Sequence, residues 1–128
     1  MKSAKDMVIE ANAQIETVSV QDAADEAASG AVVFLDVREP TEWEAHIQGA
    51  VQVPRGILES AADPTSPAHR PELKPTDRVI VYCRSGARAA LATLTLKTMG
   101  YENVANLAGG ISAWKEAGLP TGEHHEDI

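Results

Sequence analysis

Two mostly apolar segments stand out along the chain, AVVFLDV at residues 31–37 and RVIVYC at residues 78–83. Apolar runs of this length are typical of parallel strands that are covered on both faces. Shorter apolar segments at residues 17–19, 51–53 and 103–107 predict three further strands.

Segments with helical spacing separate these strands. They cover residues 20–29, 87–99 and 111–117, and each is followed by a glycine, as helix ends commonly are. Pro40 and Thr41 open a further short helix. Strands that alternate with helices predict an α/β fold with right-handed crossovers and a mostly parallel sheet.

The alternating pattern covers residues 17–120, which we expect to form one domain. Residues 1–16 are an N-terminal extension whose apolar spacing allows either a short amphipathic helix or a frayed terminus. Residues 61–76 hold four prolines and predict a long loop. Residues 121–128 form a polar tail that we expect to be loose.

Composition and charge narrow the function classes. The formal net charge of −8 argues against general affinity for nucleic acid or anionic membranes. No segment resembles a signal peptide or a transmembrane span, so we expect a cytoplasmic location, and we expect a monomer. The single cysteine excludes an internal disulfide, and the adjacent His124 and His125 do not by themselves make a metal site.

That cysteine, Cys83, lies at the carboxyl end of an apolar strand. In parallel sheets, ligands bind at the carboxyl ends of the strands. A lone cysteine in such a place is usually a small buried hydrophobe. Here Arg84 and Arg88 add positive charge, Gly86 allows a curled loop, and a helix begins near Ala87. Cations, converging backbone amides and a helix terminus all stabilise an anion, so the loop predicts a reactive thiolate.

The loop spacing bears on the reaction. Cysteine phosphatases use C-x5-R, in which the arginine grips a tetrahedral phosphate. From Cys83 to Arg88 the spacing is C-x4-R, one residue shorter. A smaller ring of amides suits a smaller group, such as a single sulfur on the cysteine, so phosphatase or arsenate reductase activity is disfavoured without being excluded.

The chain resembles the rhodanese family of sulfurtransferases in its single-domain form. The resemblance extends from about residue 17 to residue 120 and includes more than the cysteine loop. The matching segments are LDVR at 35–38 with Glu42 and Trp43, HIQGA at 46–50, VYCRSGARA at 81–89, and Gly109, Gly110, Trp114 and GLP at 118–120. Ala45 and Gln48 depart from the family's usual glycine and proline in one surface turn.

This resemblance implies a central five-stranded parallel sheet with helices on both faces. It also implies that Cys83 takes a sulfane sulfur from thiosulfate or a persulfide donor and passes it to a thiol, cyanide or protein acceptor. In that reaction the backbone amides of Arg84, Ser85, Gly86, Ala87 and Arg88 hold the persulfide, and the two arginines bind the anionic donor. No metal or organic cofactor is implied.

Other polar residues receive supporting roles. We expect Asp36 and Arg38 to form an ion pair or hydrogen bonds that support neighbouring loops, because buried charges need partners. Arg55 follows the strand at 51–53 and is a candidate for the rim of the substrate site, although a solvated arginine is the simpler interpretation. His46 is interpreted as a turn residue.

A persulfide carrier or partner-binding module with little turnover remains an alternative to the enzyme.

Overall fold

The two long apolar segments lie at the centre of a five-stranded sheet in the computed structural model, which describes residues 1–123. The strands are β1 (Glu16–Val18), β2 (Val33–Asp36), β3 (Ala45–Ile47), β4 (Val51–Gln52), β5 (Val79–Tyr82), β6 (Val104–Leu107) and β7 (Thr121–Glu123). The helices are α1 (Ala4–Asn12), α2 (Val20–Ser29), α3 (Leu58–Ala62), α4 (Ala87–Met99) and α5 (Gly110–Glu116). Short 3-10 helices cover Pro40–Glu42 and Arg55–Ile57.

The main sheet has the strand order β1-β6-β5-β2-β4, and every neighbouring pair is parallel. The predicted α/β fold with a five-stranded parallel sheet is therefore confirmed. Within residues 1–123, no helix is both long and apolar enough to cross a membrane.

All four residues of β5 are buried, because helices cover both faces of the sheet. Side chains alternate between the two faces along a strand. Val79 and Val81 pack with residues of α3 and α4, while Ile80 and Tyr82 pack with residues of α2 and α5. Continuous burial on both faces explains why this segment is apolar at every position.

The N-terminal extension contains α1, which packs against α4. Ser3 caps the helix by accepting a hydrogen bond from the backbone N–H of Asp6 at 3.0 Å. Ala11 is fully buried, and the Nζ of Lys97 donates to the carbonyl of Gln14 at 2.6 Å. The extension is thus attached to the domain by both an apolar contact and a hydrogen bond.

Two elements differ from the sequence-based expectations. Residues 121–123, assigned to a loose tail, form β7 and pair antiparallel with β3, where His46 was expected in a turn. Helix α3 overlaps the start of the segment expected to be a loop at residues 61–76. Strands and helices this short contain too few positions to show a periodic pattern of apolar residues. Their formation depends on contacts with residues far away in sequence. The remainder of the tail, including His124 and His125, lies outside the described residues.

Arg78 connects four elements at the amino-terminal edge of the sheet. Its guanidinium donates to both carboxylate oxygens of Glu26 at 2.8 and 2.9 Å and to those of Glu16 at 2.9 and 3.0 Å. It also donates to the Oδ1 of Asn103 at 2.9 Å. The side chain is only 12% exposed, and its hydrogen bonds to Glu16 and Glu26 raise the pKa of Arg78.

We expect Arg78→Gln to lower the free energy of unfolding by about 1–2 kcal/mol, because two carboxylates lose charged hydrogen bonds. Urea denaturation measures this loss as a lower midpoint with an unchanged slope. Lys2→Gln is the matched control, since the Lys2–Glu10 pair is more than half exposed on both sides. Equal midpoints for the two variants would contradict a stabilising role for Arg78.

Candidate active site

Cys83 lies directly after β5, at the carboxyl-terminal edge of the sheet, as the sequence predicts. The chain then turns through Gly86, whose φ of +115° is in the left-handed region, and enters α4 at Ala87. Arg84, Ser85 and Ala87 are exposed, whereas Cys83 is only 1% exposed. The side chain of Cys83 is therefore buried, whereas the loop that follows it is exposed.

Two backbone amides converge on the sulfur. The N–H of Gly86 donates to the Cys83 Sγ at 3.1 Å, and the N–H of Ala89 donates to it at 3.3 Å. Ala89 belongs to the first turn of α4, whose N–H groups have no acceptor inside the helix. Donated hydrogen bonds and the positive end of the helix both stabilise negative charge on the sulfur.

The loop backbone is fastened to α5. The N–H of Ile111 donates to the carbonyl of Cys83 at 2.9 Å, and the N–H of Ser112 donates to that of Arg84 at 3.1 Å. A Cβ on Gly110 would lie 2.5 Å from both of these carbonyl oxygens, and Gly110 has a φ of +59°. Only glycine permits this approach, a role that the sequence analysis did not assign to Gly110.

Asn106 supports the same loop from β6. Its Nδ2 donates to the carbonyl of Gly86 at 3.2 Å, and the residue is 3% exposed. This contact was not among the sequence-based expectations. The signal available in the sequence is a polar residue inside the apolar strand segment at 103–107, where a buried amide needs a specific partner.

The two arginines of the loop have different surroundings. Arg88 donates to both carboxylate oxygens of Glu42 at 2.8 Å. These hydrogen bonds lower the pKa of Glu42 to about 2 and raise the pKa of Arg88. Arg84 is exposed and makes no ion pair among residues 1–123. Arg84 thus retains an available positive charge, whereas most of the charge of Arg88 is compensated by Glu42.

Asp36 and Arg38 form a buried ion pair behind this site. The Nε and Nη2 of Arg38 donate to the two carboxylate oxygens of Asp36 at 3.0 and 2.8 Å. Arg38 also donates to the carbonyl of Ala45 at 2.8 Å. The hydroxyl of Tyr82 donates to Asp36 at 3.0 Å and accepts from the N–H of Ile47 at 3.1 Å. This network holds the segment between β2 and β3 against β5.

Arg55 is directed towards other helices. Its guanidinium donates to Glu59 at 3.1 and 3.2 Å and to the hydroxyl of Thr95 at 3.2 Å. These contacts connect the start of α3 to α4. No hydrogen bond within residues 1–123 joins Arg55 to the cysteine loop, so its role at the substrate rim stays a prediction.

Comparisons with known proteins assign the chain to a family. The model of the rhodanese-like domain matches residues 19–117. This chain belongs to the rhodanese-like domain family. The match includes Cys83, both loop arginines and the glycine of α5 that contacts the loop.

Curated relatives of this rhodanese-like chain include a protein from Allochromatium vinosum named sulfurtransferase. It is 41% identical over 91 residues, which cover 70% of this chain and 77% of the relative. An uncharacterized protein from Synechocystis is 38% identical over 92 residues, and these cover 71% of this chain but only 47% of the relative. The chain thus spans about half the length of that second protein. Relatives with sulfurtransferase names support sulfur transfer at the family level.

Solved structures share the rhodanese-like fold. A protein of unknown function from Rhodopseudomonas palustris, described as a possible tyrosine phosphatase, has a TM-score of 0.89 with 39% identity, covering 95% of this chain and 96% of that one. The polysulfide-sulfur transferase homodimer from Wolinella succinogenes has a TM-score of 0.76 with 30% identity, covering 96% and 89%.

We expect Gly110→Ala to lower the free energy of unfolding by about 2–5 kcal/mol, because the added Cβ overpacks two carbonyls and strains the backbone. Gly118→Ala is the matched control, since Gly118 has a φ of +73° but nothing within 4 Å of the added Cβ. The control should lose only the strain energy, roughly 1–2 kcal/mol. Urea denaturation measures both, and equal losses would refute the close approach.

We expect the Glu42–Arg88 pair to make stability pH-dependent in acid. The pKa of Glu42 is about 2 in the folded protein, against an ordinary value of 4.5. The ionised carboxylate therefore adds its full share to the free energy of unfolding above pH 4.5, and this share is lost as the pH falls towards 2. Denaturation of the parent and of Glu42→Gln across this range should give unfolding free energies that converge as the pH falls. Glu102→Gln serves as the control, because Glu102 is exposed and precedes β6 at the amino-terminal edge of the sheet, away from the cysteine loop. Parallel curves for parent and Glu42→Gln would contradict the prediction.

Proposed function

We propose that this protein is a sulfurtransferase that uses Cys83 as its nucleophile. In the first half-reaction, the Cys83 thiolate attacks the outer sulfur of thiosulfate or of a persulfide donor. The bond between the donor's two sulfurs breaks, and its electron pair leaves with sulfite or with the donor thiolate. The sulfane sulfur remains on Cys83 as a persulfide anion. The observation that carries this proposal is the pair of amides that converge on the Cys83 sulfur.

In the second half-reaction, an acceptor nucleophile attacks the outer sulfur of the persulfide. The sulfur–sulfur bond breaks, its electron pair returns to the Cys83 sulfur, and the acceptor leaves with one sulfur more. This is covalent, two-step catalysis in which the protein alternates between thiolate and persulfide. Sulfur itself supplies the transferred group, so the proposal involves no metal or organic cofactor.

The loop provides the electrostatic environment for both steps. The amides of Gly86 and Ala89 already donate to the sulfur, and those of Ala87 and Arg88 open the same helix, where N–H groups have no helical acceptor. Preorganised donors of this kind stabilise charge that develops during a reaction. Arg84 binds the anionic donor, because its guanidinium makes no ion pair with a carboxylate of residues 1–123. Glu42 fixes the side chain of Arg88, which assists in binding the donor.

Within this proposal Asp36 and Arg38 are positioning residues. Their ion pair holds Ala45 and, through Tyr82, Ile47, which lie in β3 beyond the segment that carries Glu42. Glu42 in turn holds Arg88. The donor and acceptor named above, the cytoplasmic location and the monomeric state stay predictions.

A cysteine phosphatase is the second candidate, because the Rhodopseudomonas structure with a TM-score of 0.89 is described as a possible tyrosine phosphatase. The C-x4-R spacing and the Arg88–Glu42 pair both oppose this activity, since the arginine is engaged by a carboxylate. A persulfide carrier with little turnover is the third candidate, and it differs from the enzyme only in the rate of the second half-reaction.

We expect incubation with thiosulfate to add the mass of one sulfur atom to the protein, and Cys83→Ser to remain unmodified. Intact-mass spectrometry under non-reducing conditions measures both. Addition of cyanide should then restore the original mass, with repeated turnover if the protein is an enzyme rather than a carrier. An unmodified parent protein, or hydrolysis of an aryl phosphate that depends on Cys83, would overturn the assignment.

A further inference from the structure

The ion pair between Glu42 and Arg88 sets the net charge of the cysteine loop. Arg84 and Arg88 supply two positive charges, and the carboxylate of Glu42 offsets one of them through two hydrogen bonds of 2.8 Å. The side chains of Glu42 and Arg88 are 31% and 41% exposed, so water screens their charges incompletely. An anion that approaches the loop therefore meets one net positive charge instead of two.

These charges act close to the sulfur. The pKa of Arg88 is raised, chiefly by its hydrogen bonds to Glu42 and further by attraction to Glu42 and Cys83, although burial opposes the shift. Glu42 also lines a cleft beside the loop together with Arg84. Its carboxylate is therefore placed to reduce the attraction that both arginines exert on an anion at Cys83.

The position of the Glu42 carboxylate is fixed from two sides. Its Oε2 accepts a hydrogen bond from the backbone N–H of Glu39 at 2.9 Å, in addition to the one from Arg88. Its own backbone N–H donates to the carbonyl of Glu39 at 2.8 Å, within the 3-10 helix that begins at Pro40. The negative charge thus stays at a defined place next to the loop.

A loop that attracts an anionic sulfur donor also attracts inert anions of the same shape. Phosphate and sulfate are tetrahedral like thiosulfate but carry no sulfane sulfur, so they can occupy the loop without loading Cys83. The sulfur of a donor is retained by a covalent bond once the thiolate has attacked. An inert oxyanion is retained by electrostatic attraction and hydrogen bonds alone, so a smaller positive charge weakens its hold on the loop.

We propose that Glu42 is a specificity-determining residue that weakens the binding of inert tetrahedral oxyanions, such as phosphate and sulfate, to the cysteine loop. This inference rests on the proposed function. Glu42 acts through the charge of Arg88 and through its own carboxylate, and it takes no part in the transfer of sulfur. A role in stability alone would leave the affinity for anions independent of their charge.

The first test measures binding without sulfur transfer. Sulfate and methanesulfonate, a dianion and a monoanion of similar shape, are titrated into the full chain at low ionic strength and followed through the amide NMR signals of the cysteine loop. We expect Glu42→Gln to lower the Kd of sulfate by roughly 3- to 10-fold and that of methanesulfonate by roughly 2- to 3-fold, because the electrostatic free energy scales with the charge of the anion. The difference should shrink as the ionic strength rises.

Two further variants separate local charge from other effects. Glu102→Gln makes the same change in net charge at the amino-terminal edge of the sheet and should leave both Kd values unchanged. Glu42→Asp keeps the negative charge beside Arg88 but shortens the side chain, and it should stay within about 2-fold of the parent protein.

The second test measures inhibition by phosphate of persulfide formation on Cys83 from thiosulfate, followed by intact-mass spectrometry. The inhibition constant of phosphate should fall in Glu42→Gln by a factor similar to that for sulfate. Constants unchanged in Glu42→Gln, or equal shifts for sulfate and methanesulfonate, would overturn the role of Glu42 alone. Failure of thiosulfate to load Cys83 in the parent, with charge-dependent binding of sulfate retained, would instead overturn the proposed function.

Discussion

The two backbone amides that donate to the Cys83 sulfur depend on a loop in which three carbonyls accept hydrogen bonds from other elements. The carbonyls of Cys83 and Arg84 accept hydrogen bonds from the first turn of α5, and the carbonyl of Gly86 accepts from Asn106 and from Ala90 in α4. With these three carbonyls engaged, the loop directs the N–H groups of Gly86 and Ala89 towards the sulfur. The anion-stabilising geometry is therefore produced by packing between α4, α5 and β6, and not by the loop residues alone.

Charge is distributed around the site by the same packing. The sequence places five charged groups in or near the loop, but it does not show which of them neutralise one another. In the structure, Asp36 pairs with Arg38 and Glu42 pairs with Arg88, so Arg84 retains the available positive charge at the loop. Because the chain is acidic overall, an available cation on the loop matters for any anionic substrate.

The parts of the fold that could be predicted from the sequence are those specified by local patterns. The apolar segment of β5 and the helix that ends at Gly100 each contain enough positions to define an element. Pairing of β3 with β7 could not be predicted in this way, because it joins three-residue segments that are far apart in sequence. The cysteine and its loop were likewise evident from residue types, whereas the ion pair of Arg88 and the contact of Asn106 depend on tertiary structure.

Burial of Cys83 affects how a persulfide could react. The residue is 1% exposed, so large reagents have little access to its sulfur. A second sulfur would extend about 2 Å beyond the first. The reactive atom would then be the transferred sulfur, while the cysteine beneath it stays protected from further oxidation.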